Sequence, residues 1–210
     1  MKIEKGQSMT TQINATTELQ AINTMLSFIG ESPVSSITGN IGTDVAVAKN
    51  ILDETSMSVQ SQGWFFNREL NVKTSRDTAN KVPLESNCVQ VEASAPYQYF
   101  YQYTIRKQFL YDLKNKTDVF TYNPVVDKVL VQQFEHVPEY ARRYIVVKAS
   151  RRFAARYVGA TELIKLAQLD EQESHMAFEQ ADSRAMDANI INEDYDTSYI
   201  ARRGPRRSGR

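Results

Sequence analysis

Apolar positions recur every three or four residues in two stretches near the start of the chain, which is the spacing of one helical face. The first stretch predicts a helix that Thr16 or Thr17 caps and that ends before Gly30. The second predicts a helix that Thr43 or Asp44 caps. The inward-facing positions are Leu19, Ile22, Leu26 and Ile29 in the first helix and Val45, Ala48, Leu52, Thr55 and Val59 in the second. We expect the two helices to form a hairpin.

At Gly63 the period changes from 3.6 residues to two. Alternation at 64–72 suits a strand, and β-rich pieces follow at 88–92, 97–106, 108–113, 118–122 and 125–134. The segment LKNKTD at 113–118 predicts a hairpin turn. Trp64 and Phe66 are predicted as core residues that pack against both the helical and the β layer, because aromatic side chains dominate core energetics.

Two further helices are predicted in the last third of the chain. Pro138 suits the first turn of a helix at 138–158, and Thr161 caps a helix that reaches about residue 190. The predicted fold is therefore α+β: a bundle of about four helices with an inserted antiparallel β subdomain and an extended C-terminal arm. The expected units are a flexible leader at 1–15, a helical adaptor domain at 16–63 and 138–191, a β subdomain at 64–137 and an arm at 192–210.

The composition is that of an ordinary globular protein without net charge. Of its 210 residues, 41% are hydrophobic, and 25 Lys and Arg balance 25 Asp and Glu. This balance gives no global attraction to nucleic acid or membranes. The single cysteine excludes an internal disulfide, and no apolar run approaches the length of a membrane span or of a signal region. We expect a soluble protein with no membrane insertion.

No catalytic, cofactor-binding or metal site can be assembled from the sequence. His136 and His175 lie far apart, Cys88 has no base close in sequence, and the common catalytic and metal motifs do not occur. We therefore expect a protein that is not an enzyme and that needs no cofactor. The many carboxylates leave polysaccharide degradation open as an alternative.

Four tyrosines alternate in the segment YQYFYQY. As a strand, this segment projects Tyr97, Tyr99, Tyr101 and Tyr103 from one face. Such a face can stack sugars or bases. We favour a half-exposed sheet face or a subunit contact, since tyrosine is enriched at interfaces.

Charge is segregated between the last two helices: 138–158 is basic, and 160–196 is acidic. We expect the basic helix to face an acidic helix of its own chain or of a neighbouring subunit. A contact with the DNA backbone is the alternative. The residues predicted for a subunit interface are Arg142, Arg143, Arg151, Arg152, Arg156, Glu171, Glu173 and Glu179.

The fourth helix has an apolar face only in its first turns, at Leu163, Ile164, Leu166 and Leu169. Its later turns are so polar that we expect solvent or a partner to cover them. A helix that binds a different patch on the next copy makes a heterologous contact, which closes into a ring. The sequence thus indicates assembly.

The C-terminal run ARRGPRRSGR is rich in arginine and glycine. Docking on a partner is the role that we favour, while DNA binding and a purely solubilising role are alternatives. The residues predicted for partner binding are Tyr199, Arg202, Arg203, Arg206, Arg207 and Arg210.

Several stretches together resemble one family. They are ELQAINTMLSFIGESPVSSI (18–37), ILDETSMSVQSQGWFFN (51–67), FLYDL (109–113) and HVPEYARRYIVVKASRRFAARYVGA (136–160). In order and spacing they are similar to tail tubular protein A, the gatekeeper or adaptor of short-tailed phages of the autographivirus kind. The resemblance runs from about residue 15 to 190.

The resemblance implies a structural virion protein that is made in the host cytoplasm and forms a dodecameric ring below the portal. Its implied partners are the portal protein, the nozzle of tail tubular protein B, the tail fibre protein and further copies of itself. Genomic DNA passes through the lumen without specific binding. The helical domain is implied to lie near the portal, which the C-terminal region embraces, and the β subdomain faces the nozzle and fibres.

Overall fold

The computed structural model describes residues 15–39, 41–95, 97–157 and 161–193, with the backbone alone at 161–163 and 187–193. In this part of the chain, helices flank a group of antiparallel strands, which confirms the predicted α+β fold. The order is α1 (Glu18–Phe28), α2 (Thr43–Gln60), β1 (Arg68–Lys73), β2 (Cys88–Ala93), β3 (Tyr103–Arg106), β4 (Phe109–Asp112), β5 (Val125–Leu130), α3 (Glu139–Tyr157) and α4 (Thr161–Glu193). Short 3-10 turns at Phe65–Asn67 and Phe134–His136 stand at the two ends of the β region.

The main core lies between α1, α2 and α3, and α4 packs on the outer side of α3. Ile22 and Leu26 of the first predicted stripe are buried, as are Leu52 and Val59 of the second. The central position of α3 follows from its sequence, because its small and apolar residues occur on most of its circumference. Its buried residues are Ala141, Arg142, Tyr144, Ile145, Val146, Ala149, Ser150, Phe153 and Ala154.

The helix ends follow capping rules, with one correction. Thr17 caps α1 in a capping box with Gln20. The backbone N–H of Gln20 donates to the Thr17 hydroxyl at 3.2 Å. Gly30 follows α1 with φ +84°, the left-handed conformation expected there. The predicted cap of α2 was wrong by one residue. Gly42 is the N-cap, without a side-chain hydrogen bond, and Thr43 is the first helical residue.

The strands form a three-stranded antiparallel sheet in the order β1-β5-β2 and a separate β3-β4 hairpin. Lys107 and Gln108 connect the hairpin, both with positive φ, as a tight two-residue turn requires. A second buried cluster lies between the sheet and the hairpin. Its residues are Val82, Leu84, Cys88, Val91, Ala93, Tyr103, Leu110, Phe120, Val126 and Leu130.

The strand predictions were partly wrong. Residues 65–67 form a 3-10 turn rather than the start of a strand, no strand is present at 97–102 or 118–122, and the last strand ends at Leu130. The turn at 113–118 is present. It exists because the buried Asp112 carboxylate accepts hydrogen bonds from the backbone N–H groups of Lys114 and Asn115.

Buried amide side chains connect the helices to the sheet. The side chain of Gln60, at the end of α2, donates to the Gln132 carbonyl at 3.0 Å and accepts from the Gln132 N–H at 2.7 Å.

Gly63 has φ +76°, and a Cβ atom there would lie 2.9 Å from Val129 Cγ2. The chain therefore leaves α2 along a path that only glycine adopts without strain.

Candidate assembly surfaces

A narrow seam joins α4 to α3, and the two helices run antiparallel. The α4 residues that turn toward α3 recur at alternating spacings of four and three: Ala167, Glu171, Ser174 and Phe178. The small side chains at 167 and 174 allow close approach of the two backbones, in the manner of a coiled-coil seam. Thus α4 is held against its own chain from Ala167 to Phe178. Part of the polar stretch that was expected to be covered by solvent or a partner therefore packs on α3.

Phe178 is the anchor of this seam. Its side chain is fully buried, and its ring centroid lies 4.2 Å from that of Trp64, 5.3 Å from Tyr144 and 5.8 Å from Tyr140. The Trp64 indole N–H in turn donates to the Val59 carbonyl at 2.7 Å. Aromatic packing thereby connects α4, α3 and the end of α2.

Trp64 and Phe66 are partly buried, and both pack on the helical cluster. The buried β cluster includes neither of them. The aromatic surface at this junction therefore stabilises the helical side rather than both layers.

The charge segregation between α3 and α4 is partly satisfied within one chain. Arg151 forms an ion pair with Glu171 across the seam. Two other arginines of α3 point toward α2: Arg156 pairs with Glu54 at 3.2 Å, and Arg152 donates to the Thr55 hydroxyl at 3.2 Å. α3 therefore lacks the continuous free cationic face that a phosphate backbone requires.

Arg142 is buried, which removes it from any exposed interface. Its guanidinium donates to the backbone carbonyls of Val137, Glu135 and Thr16, the last at 2.7 Å. It thus ties the segment before α1 to the start of α3. The prediction of an interface role for Arg142 needs this correction, because the geometry gives the side chain a structural task.

Four predicted interface residues are exposed: Arg143, Arg156, Glu173 and Glu179. Arg143 lines a cavity of about 560 Å³ on one side of α4, together with Asp170 and Glu173. Glu179 lies 3.7 Å from His175. The predicted partner-binding residues Tyr199, Arg202, Arg203, Arg206, Arg207 and Arg210 lie outside the described residues.

The side of α4 that turns away from α3 carries apolar side chains in solvent. Leu166, Leu169 and Met176 are 60%, 63% and 63% exposed. The expectation that Leu166 and Leu169 belong to a buried face was therefore wrong, because Ala167 and the residues in register with it occupy the α3 side. The Leu163 side chain lies outside the described part of the chain. We call Leu166, Leu169, Asp170 and Glu173 the outer face of α4; its two carboxylates also form the wall of the cavity beside Arg143.

α4 also extends well beyond its supporting helix. It has 33 residues against 19 in α3. The difference of 14 residues corresponds to about 21 Å of helix. Near the point where α4 passes the bundle, Asp182 accepts a hydrogen bond from the Phe65 N–H at 3.1 Å. Partial burial raises the pKa of Asp182, and the carboxylate in turn adds to the effect of burial in raising the pKa of Tyr140.

The tyrosine segment does not form a single-faced strand. The backbone turns at Tyr97, because the N–H groups of Phe100 and Tyr101 both donate to the Tyr97 carbonyl. Tyr99 is 95% exposed, whereas Tyr103 is buried and its hydroxyl lies 3.0 Å from that of Tyr122. The prediction of four tyrosines on one sheet face was wrong, and with it the flat stacking platform.

Within the described residues, no group of three or more His, Cys, Asp or Glu side chains is placed to hold a metal ion. Cys88 is buried, and burial raises the pKa of its thiol, which makes it a poor nucleophile. No helix in the described ranges combines the length and apolarity that crossing a membrane requires. The surfaces described above are suited to contacts between proteins.

Sequence reasoning anticipated that α3 faces an acidic helix of its own chain or of a neighbour, but it missed which α4 residues form the seam and which form the outer face. A signal for the seam is present, since the spacing at 167, 171, 174 and 178 continues to Ala181 and Ala185. Alanine and serine at these positions hide it, because a search for large apolar residues finds Leu166, Leu169 and Met176 instead. Only the position of α3 decides between the two faces.

Comparison with known proteins gives one family. A sequence model described as Tube: Tail tubular protein matches residues 19–188, which is most of the chain. No curated protein sequence matches it.

Proposed function

The chain belongs to the tail tubular protein family, and we propose that it is the ring-forming adaptor, or gatekeeper, that connects the portal to the tail nozzle. It is a structural protein of the phage tail and therefore a component of the virion. The proposal adds to this the ring, the two neighbours, a lumen for genome ejection and a place for fibre attachment. It includes no catalytic activity.

The observation that carries the proposal is the outer face of α4. Leu166 and Leu169 are neighbours at i and i+3 on this helix and are more than half exposed, and an apolar patch with carboxylates at its rim is typical of a protein contact. A helix that extends beyond its own bundle needs a partner for its free end. Both features support a protomer that completes its surface in an assembly.

We propose a division of labour along the chain. The helical adaptor domain at 16–63 and 138–191 lies next to the portal, and the β subdomain at 64–137 faces the nozzle and fibres. Two separate buried clusters support this division, one among the helices and one in the β region. Passage of DNA without specific binding agrees with the contacts that Arg151, Arg152 and Arg156 make to other side chains of the same chain.

The geometry narrows the proposed subunit interface. Arg143, Arg156, Glu173 and Glu179 are exposed and remain candidates. Arg142 is excluded by burial, and Glu171 is largely covered in its pair with Arg151. We expect the charged residues of the interface to lie on the exposed side of α4 rather than in the middle of α3.

We propose that the arginines of the C-terminal arm dock on the portal. Truncation of 192–210 tests this in a pull-down with portal rings, with the full chain as reference and a truncation of 1–14 as the matched control. The account predicts strong loss of portal retention for the C-terminal truncation alone. Equal retention of the three proteins would contradict a role for the arm.

A further inference from the structure

A groove runs along one side of the α3-α4 seam. It has a volume of about 640 Å³ and is lined by Tyr144 and Arg151 of α3 and by Gln168, Glu171, Gln172, His175 and Met176 of α4. Glu171 in this lining is already paired with Arg151. Lys148 stands beside it, since its ammonium group donates to the Tyr144 hydroxyl at 2.9 Å and lies 5.0 Å above the tyrosine ring. No described carboxylate forms an ion pair with Lys148. The groove therefore offers a free cation beside an aromatic ring.

The outer face of α4 has the opposite character. Leu166 and Leu169 project into solvent, and the exposed carboxylates Asp170 and Glu173 stand next to them. An apolar centre with acidic neighbours fits a recess that has an aromatic wall and a free lysine, because complementary charge sets register and partner choice at protein contacts.

The position of the two surfaces favours contact between copies. The outer face covers 166–173 of α4, and the α4 side of the groove covers 168–175. Rotation about a ring axis moves a surface around the axis but not along it. If α4 runs along that axis, the outer face of one copy and the groove of the next lie at the same height and can meet. The cavity on the other side of α4 cannot be the receiving surface of a heterologous contact, because Asp170 and Glu173 of the outer face line that cavity themselves.

We propose that the outer face of α4 in one copy docks into the groove between α3 and α4 of the next copy. Two different surfaces of one chain then form each contact, as a heterologous ring interface requires. The inference rests on the proposed ring, and it assigns the surfaces that build the ring.

Disulfide trapping on the assembled protein tests this arrangement. In a Cys88→Ser background, Leu169→Cys places a thiol on the outer face, and Gln172→Cys places one in the lining of the groove and leaves Lys148 in place. Full-length chains that carry both cysteines are assembled on portal rings, oxidised and separated on non-reducing gels. We expect a ladder of covalent multimers. When the two cysteines are on separate chains, we expect dimers and nothing larger.

The matched control replaces Gln172→Cys by Thr24→Cys, an exposed position on α1, and should give no ladder. Ring formation is followed separately by electron microscopy. Rings without covalent multimers would overturn the docking arrangement and leave the proposed function intact. Dimers from Leu169→Cys alone would mean that outer faces pair with each other. A disulfide between Leu169→Cys and the portal would mean that the portal covers the outer face. Either result would overturn the docking arrangement. Absence of rings with the unmodified chain would overturn the proposed function.

Discussion

Phe178 gives the sharpest test of how α4 is held. Phe178→Ala removes a fully buried ring that contacts Trp64, Tyr140 and Tyr144 from one side of the seam. The preceding seam position is Ser174, whose small side chain cannot fill the space that the ring leaves. Buried Phe→Ala substitutions cost about 3–5 kcal/mol from lost transfer energy and the cavity that remains.

With a mid-range cost of about 4 kcal/mol, a chain of this size should lose roughly 8–16 °C in Tm. Trp64 is the single tryptophan and lies against Phe178, so its fluorescence emission reports the same site. We therefore expect a lower Tm together with a red-shifted emission as water reaches the indole. The assay is thermal unfolding followed by fluorescence and circular dichroism.

Met176→Ala is the matched control, since Met176 lies on the same helix and is 63% exposed. It should change stability by less than about 0.5 kcal/mol. A Phe178→Ala protein that melts within about 2 °C of the parent, with unchanged emission, would refute the seam, because such a result is incompatible with a cost of several kcal/mol.

Three further substitutions test other parts of the structure. Gly63→Ala should lower the free energy of unfolding in urea by about 2–4 kcal/mol, because left-handed backbone strain adds to a clash with Val129. Gly30→Ala, which has open space around it, should cost only about 1 kcal/mol. Equal costs would contradict the close packing of Gly63 on Val129. Arg142→Met should cost at least about 3 kcal/mol, because three carbonyls lose a charged donor, and native-like melting would disprove that role. Burial raises the pKa of the Asp182 carboxyl, so the folded state binds a proton at this group more tightly than the unfolded chain does. The free energy of unfolding therefore falls as the pH rises from the ordinary carboxyl pKa through the raised one. Asp182→Asn should flatten this slope above about pH 4, the ordinary carboxyl pKa, and parallel pH profiles of the two proteins would contradict this expectation.

The local part of the fold could be predicted from the sequence. Thr17 with Gln20 marks the start of α1, and Gly30 marks its end, because capping and left-handed turns depend on neighbours in the chain. The same holds for the turn at 113–118, which Asp112 organises through adjacent backbone amides.

The long-range part could not be predicted. α4 has two candidate faces, and only the presence of α3 decides that Phe178 is buried and Leu169 is not. Arg142 reads as an exposed interface residue until the fold brings the Thr16 carbonyl to it across 126 positions of sequence. The tyrosine segment alternates like a strand, yet it turns at Tyr97 because no neighbouring strand pairs with it.

The central claim is that this chain is an incomplete unit whose surface is finished by other copies and by the portal. The most direct measurement is the mass of the purified full-length protein in solution, with and without portal rings. The account predicts a monomer alone and a complex with twelve added copies when portal is present. A chain that stays monomeric beside the portal, at concentrations where both are native, would contradict it.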